Sequence, residues 1–537
     1  MNRRTFLRIT GAAVTGIPHH RNLWAQQGNQ NRTRGEIPIR RSIPETQGIS
    51  SSAIHTFVEE AEKNLDSLHS LMIARNGYVV AEGWWAPYSS DLNHWLFSLS
   101  KGFTATGVGV AIDEGHLSLD DSVVSFFPEK MPKLPSENLK AMKVRHLLQM
   151  THGHQGSSDR EVMRSEDTEW VRAWLEMEVP HVPGVRWAYS NSVTYMLSAI
   201  VQRATGQSLM NFMQPRLFEP LGITNPIWDT SPEGITIGGS GLRVRTEAIL
   251  RLGQLYLQRG RWQGEQLLSQ AWIAEATKLQ ATPGGGDTIQ GFGLHFVLHP
   301  DRGAFESGGL FGQSCIVMPD KNAVVAITAG VRQSAMKIVS TLVWEHIHTA
   351  MGGLGLPEDK SAHDELLRKL DSLVLPLQRG TPNSKMANII SNRKFIFEEN
   401  ERGIISLELE SSSTNTVLTL TNDKGKHRLV CKAGVWANGH TAFEPPALVT
   451  LGLVHDGSEV PCATSGAWLE EDTFVIKLCY TESPFMEILT FKFEMNRVTF
   501  DQVANLSMKR WTPRKRPQSF SSCLRGSSLQ YWSLGWS

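Results

Sequence analysis

Two apolar runs, Leu68–Ala74 and Tyr78–Gly83, flank Asn76-Gly77. Both residues of that pair tolerate positive φ, so the spacing predicts a tight β-hairpin. From Ser98 to Glu114 the chain is rich in Gly, Ala and Thr, with little charge after Lys101. This predicts a helix packed closely on all sides and stopped by Gly115 as a left-handed cap. Helical periodicity also runs through Asp167–Glu178, Val193–Thr205 and Arg245–Gln258. Gln313–Met318 and Ala323–Thr328 read as adjacent strands joined by Pro319-Asp320-Lys321-Asn322, which is turn chemistry. A hairpin, then helices, then a second hairpin predicts an α+β unit. It is an antiparallel sheet flanked by helices, with a mainly helical insertion.

The pattern changes near residue 355. Ser361–Leu377 reads as a charged amphipathic helix and Asn383–Asn392 as a polar connector. From Lys394 onward apolar and polar positions alternate by two, as in Leu407-Glu408-Leu409, Thr416–Leu420 and Ile488–Phe493. Turns fall at Asn422-Asp423-Lys424-Gly425 and Glu494-Met495-Asn496, so a separate all-β module follows, a barrel or sandwich. The expected boundaries are an export signal over 1–25, a linker over 26–42 and the α+β unit over 43–355. A helix and connector over 356–392, the β module over 393–513 and a disordered tail over 514–537 complete the chain.

At 537 residues, several units are expected. Lys+Arg and Asp+Glu both count 53. That balance gives no electrostatic reason to bind nucleic acid. No run of about 18 apolar residues predicts a membrane span. The N-terminal Asn2-Arg3-Arg4-Thr5-Phe6-Leu7, followed by the apolar Ile9–Ile17, resembles a twin-arginine export signal and implies a periplasmic or extracellular protein. The five cysteines (Cys315, Cys431, Cys462, Cys479, Cys523) lack C-x-x-C spacing. Buried free thiols are expected, with a Cys431–Cys479 bridge as the alternative.

Ser98-Leu99-Ser100-Lys101 is an S-x-x-K sequence. Positions three apart share a helix face, so the serine hydroxyl stands beside the lysine amine at the helix start. Burial disfavours a charged lysine, and a neutral amine serves as a base. Tyr189-Ser190-Asn191 adds a tyrosine able to relay a proton and an asparagine able to orient a substrate carbonyl. His152-Gly153-His154 has no third ligand at metal-site spacing, and local hydrogen bonding is its expected use. Trp84, Trp85 and Trp95 read first as packing residues and second as a pocket mouth.

Taken in order, these segments resemble one family. Phe97–Gly115, Val144–Thr151, Pro183–Asn191, Ala204-Thr205-Gly206, Pro220-Leu221-Gly222, Gly238–Leu242 and Gly312-Gln313 are similar to the penicillin-binding-protein-like serine hydrolases. That family includes class C β-lactamases, D-alanyl-D-alanine peptidases and related esterases. The resemblance covers about residues 43–345. It implies Ser98 as nucleophile, Lys101 and Tyr189 as proton carriers, Asn191 as substrate ligand, and no metal or organic cofactor. It also implies an oxyanion hole from the backbone N–H groups of Ser98 and of Gly309 or Leu310, on the Ser307-Gly308-Gly309-Leu310 segment.

The third family motif, K-T-G or H-x-G, departs from the pattern. Counting back from Gly312, Glu306 falls where a lysine or histidine is usual; a one-residue shift puts Ser307 there. Either way the cation is missing. A glutamate there repels a substrate carboxylate, by about 4 kcal/mol at roughly 4 Å and a dielectric of 20. Arg243 or Arg245 is a possible compensating charge, though solvated surface is the first reading of both. A neutral ester or small amide is therefore the expected substrate. A D,D-peptidase or β-lactamase is the alternative, and a degenerate peptidoglycan-binding protein the non-enzymatic one. The β module, with Ser465–Trp468 and Ser483-Pro484-Phe485, is similar to C-terminal modules of long family members and reads first as a buttress.

Overall fold

The computed structural model describes residues 39–156, 162, 168–284, 290–353, 355–400, 402–412, 414–445 and 458–506, with the backbone of 518–524. The candidate export signal lies outside the described residues. The Asn76-Gly77 hairpin forms as spaced. Leu68–Arg75 pairs with Tyr78–Trp84, and both turn residues have positive φ. The second hairpin, Gln313–Met318 with Ala323–Ala329, docks on the first by pairing Ala323–Ala329 with Leu68–Arg75.

An eight-stranded sheet results. Its order is Arg40–Arg41, Tyr78–Trp84, Leu68–Arg75, Ala323–Ala329, Gln313–Met318, Ala304–Gly309, Val297–His299 and Gly291–Phe292. Only the Arg40–Arg41 strand is parallel to its neighbour. Arg40 and Arg41, within the stretch expected as a linker, pair with Tyr78 and Val79.

One sheet face packs on the Ser100–Asp113, Asn191–Thr205 and Thr246–Leu257 helices in a large core that includes Phe103, Met196 and Leu252. The other face packs on Ser51–Asn64 and on the helical 336–348 segment. The Ser100–Asp113 helix is buried from Ser100 to Ala111, as its composition predicts, and Gly115 ends it at φ 76°. Among the described residues, no helix is long and apolar enough to cross a membrane.

Two expected elements differ. The amphipathic helix spans Lys360–Asp371 and stops short of Leu377. Leu373 and Leu375 instead exchange backbone hydrogen bonds with Ala86 beside the sheet. The polar connector contains a helix, Lys385–Ile390, capped by Ser384 and held by burial of Ala387 and Ile390.

The C-terminal region is a ten-stranded antiparallel sheet. The end strand Gly425–Cys431 returns to the opposite end of the sheet, where Thr464 Oγ1 on the Val460–Glu470 strand donates to the Val430 carbonyl at 2.6 Å, so the sheet curls into a barrel. A strand at Gln518–Leu524 fills the gap between Arg393–Phe397 and Arg497–Ala504, where a disordered tail was expected. Cys315, Cys431, Cys462 and Cys479 are buried free thiols, which rules out the Cys431–Cys479 bridge.

Candidate active site

Ser98 lies in a single 3-10 turn, Phe97–Leu99, that runs directly into the Ser100–Asp113 helix. The turn is fixed from outside the helix. Leu96 N–H donates to the Leu242 carbonyl at 2.9 Å, and Phe97 sits at φ 50°, a conformation bulky side chains rarely adopt. One helical turn on, Lys101 is buried under the loop at Gly238-Gly239.

The Lys101 amine donates to Ser98 Oγ at 3.1 Å, to Asn191 Oδ1 at 2.5 Å and to the Gly239 carbonyl at 2.7 Å. Those three acceptors match the three hydrogens of an ammonium group. Tyr189 Oη donates to Ser98 Oγ at 2.7 Å, and its ring centroid lies 4.8 Å from Lys101 Nζ. Ser98 Oγ therefore receives two donors, and the four residues Ser98, Lys101, Tyr189 and Asn191 share one hydrogen-bonded cluster.

Each partner is placed by its own element. Asn191 opens the Asn191–Thr205 helix. Tyr189 is on the preceding loop, where Ala188 N–H donates to the Met150 carbonyl and His152 Nε2 donates to the Ala188 carbonyl, both at 2.8 Å. His154 Nδ1 meets the Glu178 carbonyl at 3.1 Å, and burial pushes its pKa down to about 4. The two loop histidines thus hold backbone around the site.

The Ala304–Gly309 strand closes the other side. Adjacent residues on a strand face opposite sides of the sheet. Ser307 faces the Ser98 turn: its Oγ donates to the Leu99 carbonyl at 3.2 Å. Gly309 meets the same turn so closely that a Cβ there would stand 2.2 Å from the Leu96 carbonyl oxygen. Gly308 and Leu310 flank Gly309 in the same segment, Leu310 packing against the C-terminal barrel.

Glu306 corrects the expectation made for it. Its carboxylate accepts from Ser314 Oγ at 2.7 Å and meets His299 Nε2 at 3.2 Å, on the face away from Ser307. Its charge is turned away from Ser98. Ser307, a neutral hydroxyl, is the residue of this strand on the side of Ser98.

Arg243 is paired with Asp229 at 2.8 Å and lies over the Trp95 ring, and Arg245 donates to the Asp91 carbonyl. Trp85 and Trp95 are buried, and Trp84 packs against the main core, so all three are packing residues.

Two groups carried no sequence signal for their place here. The Gly239 carbonyl is the third acceptor of Lys101. His295 bonds Thr194 on the Asn191–Thr205 helix at 3.1 Å. Burial first, and the Lys101 charge second, push the His295 pKa down to about 3. Both groups reach the site through tertiary packing.

A model of the β-lactamase family matches residues 67–338, just over half of the chain. The chain belongs to that family. Among members, it is 22% identical to the 6-aminohexanoate-dimer hydrolase of Paenarthrobacter ureafaciens, over 57% of this chain and 84% of that one. It is 30% identical to the esterase EstB of Burkholderia gladioli, over 26% of this chain and 38% of the esterase. The solved octameric penicillin-binding protein homologue from Pyrococcus abyssi covers 87% of this chain and 99% of its own, at 17% identity and a TM-score of 0.44.

Proposed function

We propose that this β-lactamase-family chain is a serine hydrolase that cleaves a neutral ester or small amide through an acyl-enzyme on Ser98. The observation that carries this reading is the shared bonding of Ser98 Oγ to Lys101 and Tyr189. The reacting state holds one proton fewer than an ammonium and a phenol together, with Lys101 as a neutral amine; Tyr189 passes its hydroxyl proton to that amine as it takes the proton of Ser98 Oγ, which attacks the substrate carbonyl. The pair returns that proton to the leaving alcohol or amine as the acyl–oxygen or acyl–nitrogen bond breaks. Water then repeats the cycle on the acyl-enzyme, releasing the acid and restoring Ser98. Asn191 orients the substrate carbonyl's neighbouring group while fixing the Lys101 amine. The backbone beside Ser98 and at Gly309–Leu310 receives the oxyanion.

The neutral substrate class is supported by Ser307, an uncharged side chain where a family member acting on a carboxylate-bearing substrate carries a cation. The name of one relative, an esterase, points the same way; that of another, a 6-aminohexanoate-dimer hydrolase, supports amide cleavage, on a substrate that itself ends in a carboxylate. A β-lactamase of Escherichia coli is also a relative, at 28% identity over 26% of this chain, and marks the second reading.

The test is hydrolysis of p-nitrophenyl acetate, a small anilide and a penicillin by wild type and Ser98→Ala. Wild type is expected to favour the ester. Ser98→Ala is expected to lose roughly a thousandfold or more in kcat with unchanged circular dichroism. Equal rates in the two proteins would remove the assignment of Ser98, and a preference for the penicillin would replace the neutral substrate with the second reading.

A further inference from the structure

The strained turn that presents Ser98 has the Ala304–Gly309 strand on one side and the C-terminal barrel on the other. Trp95, Phe97 and Phe311 are buried in the core of the C-terminal barrel, together with Phe485. Phe97 precedes Ser98, and Phe311 follows Leu310. Both have positive φ, 50° and 68°. Backbone of this kind is costly for a bulky side chain and persists only where packing over-determines it.

Phe485 supplies that packing from the barrel. Its ring lies edge-on to Phe97 at 6.2 Å, to Phe311 at 5.8 Å and to Trp95 at 6.3 Å. Phe97 in turn stacks on Trp95 at 4.7 Å and meets Phe311 edge-on at 5.2 Å. The loop that carries Phe485 is itself fastened to the catalytic unit. The Glu482 carbonyl accepts from Trp95 N–H at 2.9 Å, and the Ser483 carbonyl accepts from Tyr88 Oη at 2.7 Å. Within the loop, Tyr480 N–H donates to the Phe485 carbonyl at 3.0 Å and Asn505 Nδ2 donates to the Pro484 carbonyl at 2.9 Å.

We infer that Phe485 is a positioning residue for acyl transfer, by which the C-terminal barrel clamps the Phe97 and Phe311 turns on either side of the Ser98 nucleophile and the Gly309–Leu310 backbone. The inference rests on the reading of Ser98 as nucleophile. Phe485 touches no reacting atom. It acts by holding the two turns at a fixed separation, so its loss slows the chemical step more than it weakens substrate binding.

The test uses the full-length chain with Phe485→Leu and Phe485→Ala, beside wild type and Ser98→Ala. Titration to completion with a fluorophosphonate counts folded active sites, so unfolded protein drops out of kcat. For p-nitrophenyl acetate, kcat per titrated site is expected to fall about tenfold in Phe485→Leu and further in Phe485→Ala, with KM within about twofold. Wild-type kcat per site in Phe485→Leu overturns the inference, whether or not Phe485→Ala folds. A loss carried by KM alone overturns it too. Turnover that survives Ser98→Ala instead sinks the underlying reading of Ser98, a different failure from either of these.

Discussion

A three-residue spacing on a helix places Lys101 beside Ser98 almost without help from the rest of the fold, because both lie in the first turn. That is why this pair was legible in the sequence. Tyr189 and Asn191 needed the family resemblance, since 91 residues separate Tyr189 from Ser98. The strand residues show where legibility ended. Glycines around Ser307 left two registers open, and a one-residue slip turns every side chain to the other face. Packing of Ser307 against the Leu99 carbonyl decides the register and turns Glu306 toward Ser314 and His299. A carboxylate on that face does not discriminate among substrates by charge. Glu306→Gln is therefore expected to change the ratio of kcat/KM for a neutral ester and a penicillin by less than about twofold. A selective gain of about tenfold for the penicillin would show that Glu306 does reach the substrate; that ratio corresponds to about 1.4 kcal/mol of differential binding in the transition state.

At the scale of elements, the site is a junction of three: the Ser98 turn, the Asn191–Thr205 helix and the end of the Ala304–Gly309 strand. The hairpins and the long helices followed from period and turn chemistry, because each satisfies its own backbone. The helices that departed from expectation lie between the two sheets. The Lys360–Asp371 helix ends where Leu373 and Leu375 find the Ala86 backbone, a partner nearly 300 residues away that periodicity does not reveal. The strand lies tight against the Ser98 turn at Gly309. A methyl group there meets the Leu96 carbonyl at 2.2 Å, and neither backbone has room to yield without moving Ser98 or Leu310. Gly309→Ala is expected to lower kcat about a hundredfold, the penalty of a misplacement near 1 Å, while far-ultraviolet circular dichroism stays that of wild type. Near-normal kcat in the folded variant would mean that the oxyanion is held elsewhere.

Across the whole molecule, the catalytic sheet and the barrel meet at a buried histidine pair. His94 Nδ1 donates to the Trp95 carbonyl at 3.0 Å, since a carbonyl only accepts. His94 Nε2 is then free to accept from His69 Nδ1 at 2.9 Å, and His69 Nε2 accepts from Ser67 Oγ at 2.8 Å. Tyr88 stacks on His69 at 3.8 Å and bonds the Ser483 carbonyl of the barrel loop. The chain of bonds has no place for two added protons, which would set N–H against N–H between the rings. Burial pushes the His94 pKa from 6.5 down to about 4, and burial followed by the His94 charge pushes His69 well down. In the unfolded chain both titrate near 6.5. Between that value and the folded one, the unfolded state holds more protons, so stability falls as pH falls. It is fully present above about pH 6.5 and declines toward pH 4 by about 1.4 kcal/mol per pH unit for each such histidine. His154 and His295, pushed down to about 4 and about 3, add to the same slope. Urea unfolding at pH 7.5, 6 and 5 is expected to give a steadily lower free energy for wild type. His94→Gln is expected to give a shallower decline, by one histidine's share, even where its stability at pH 7.5 is lower. Parallel declines in the two proteins would show that His94 takes up no proton on unfolding. The seam would then owe its acid sensitivity to other groups.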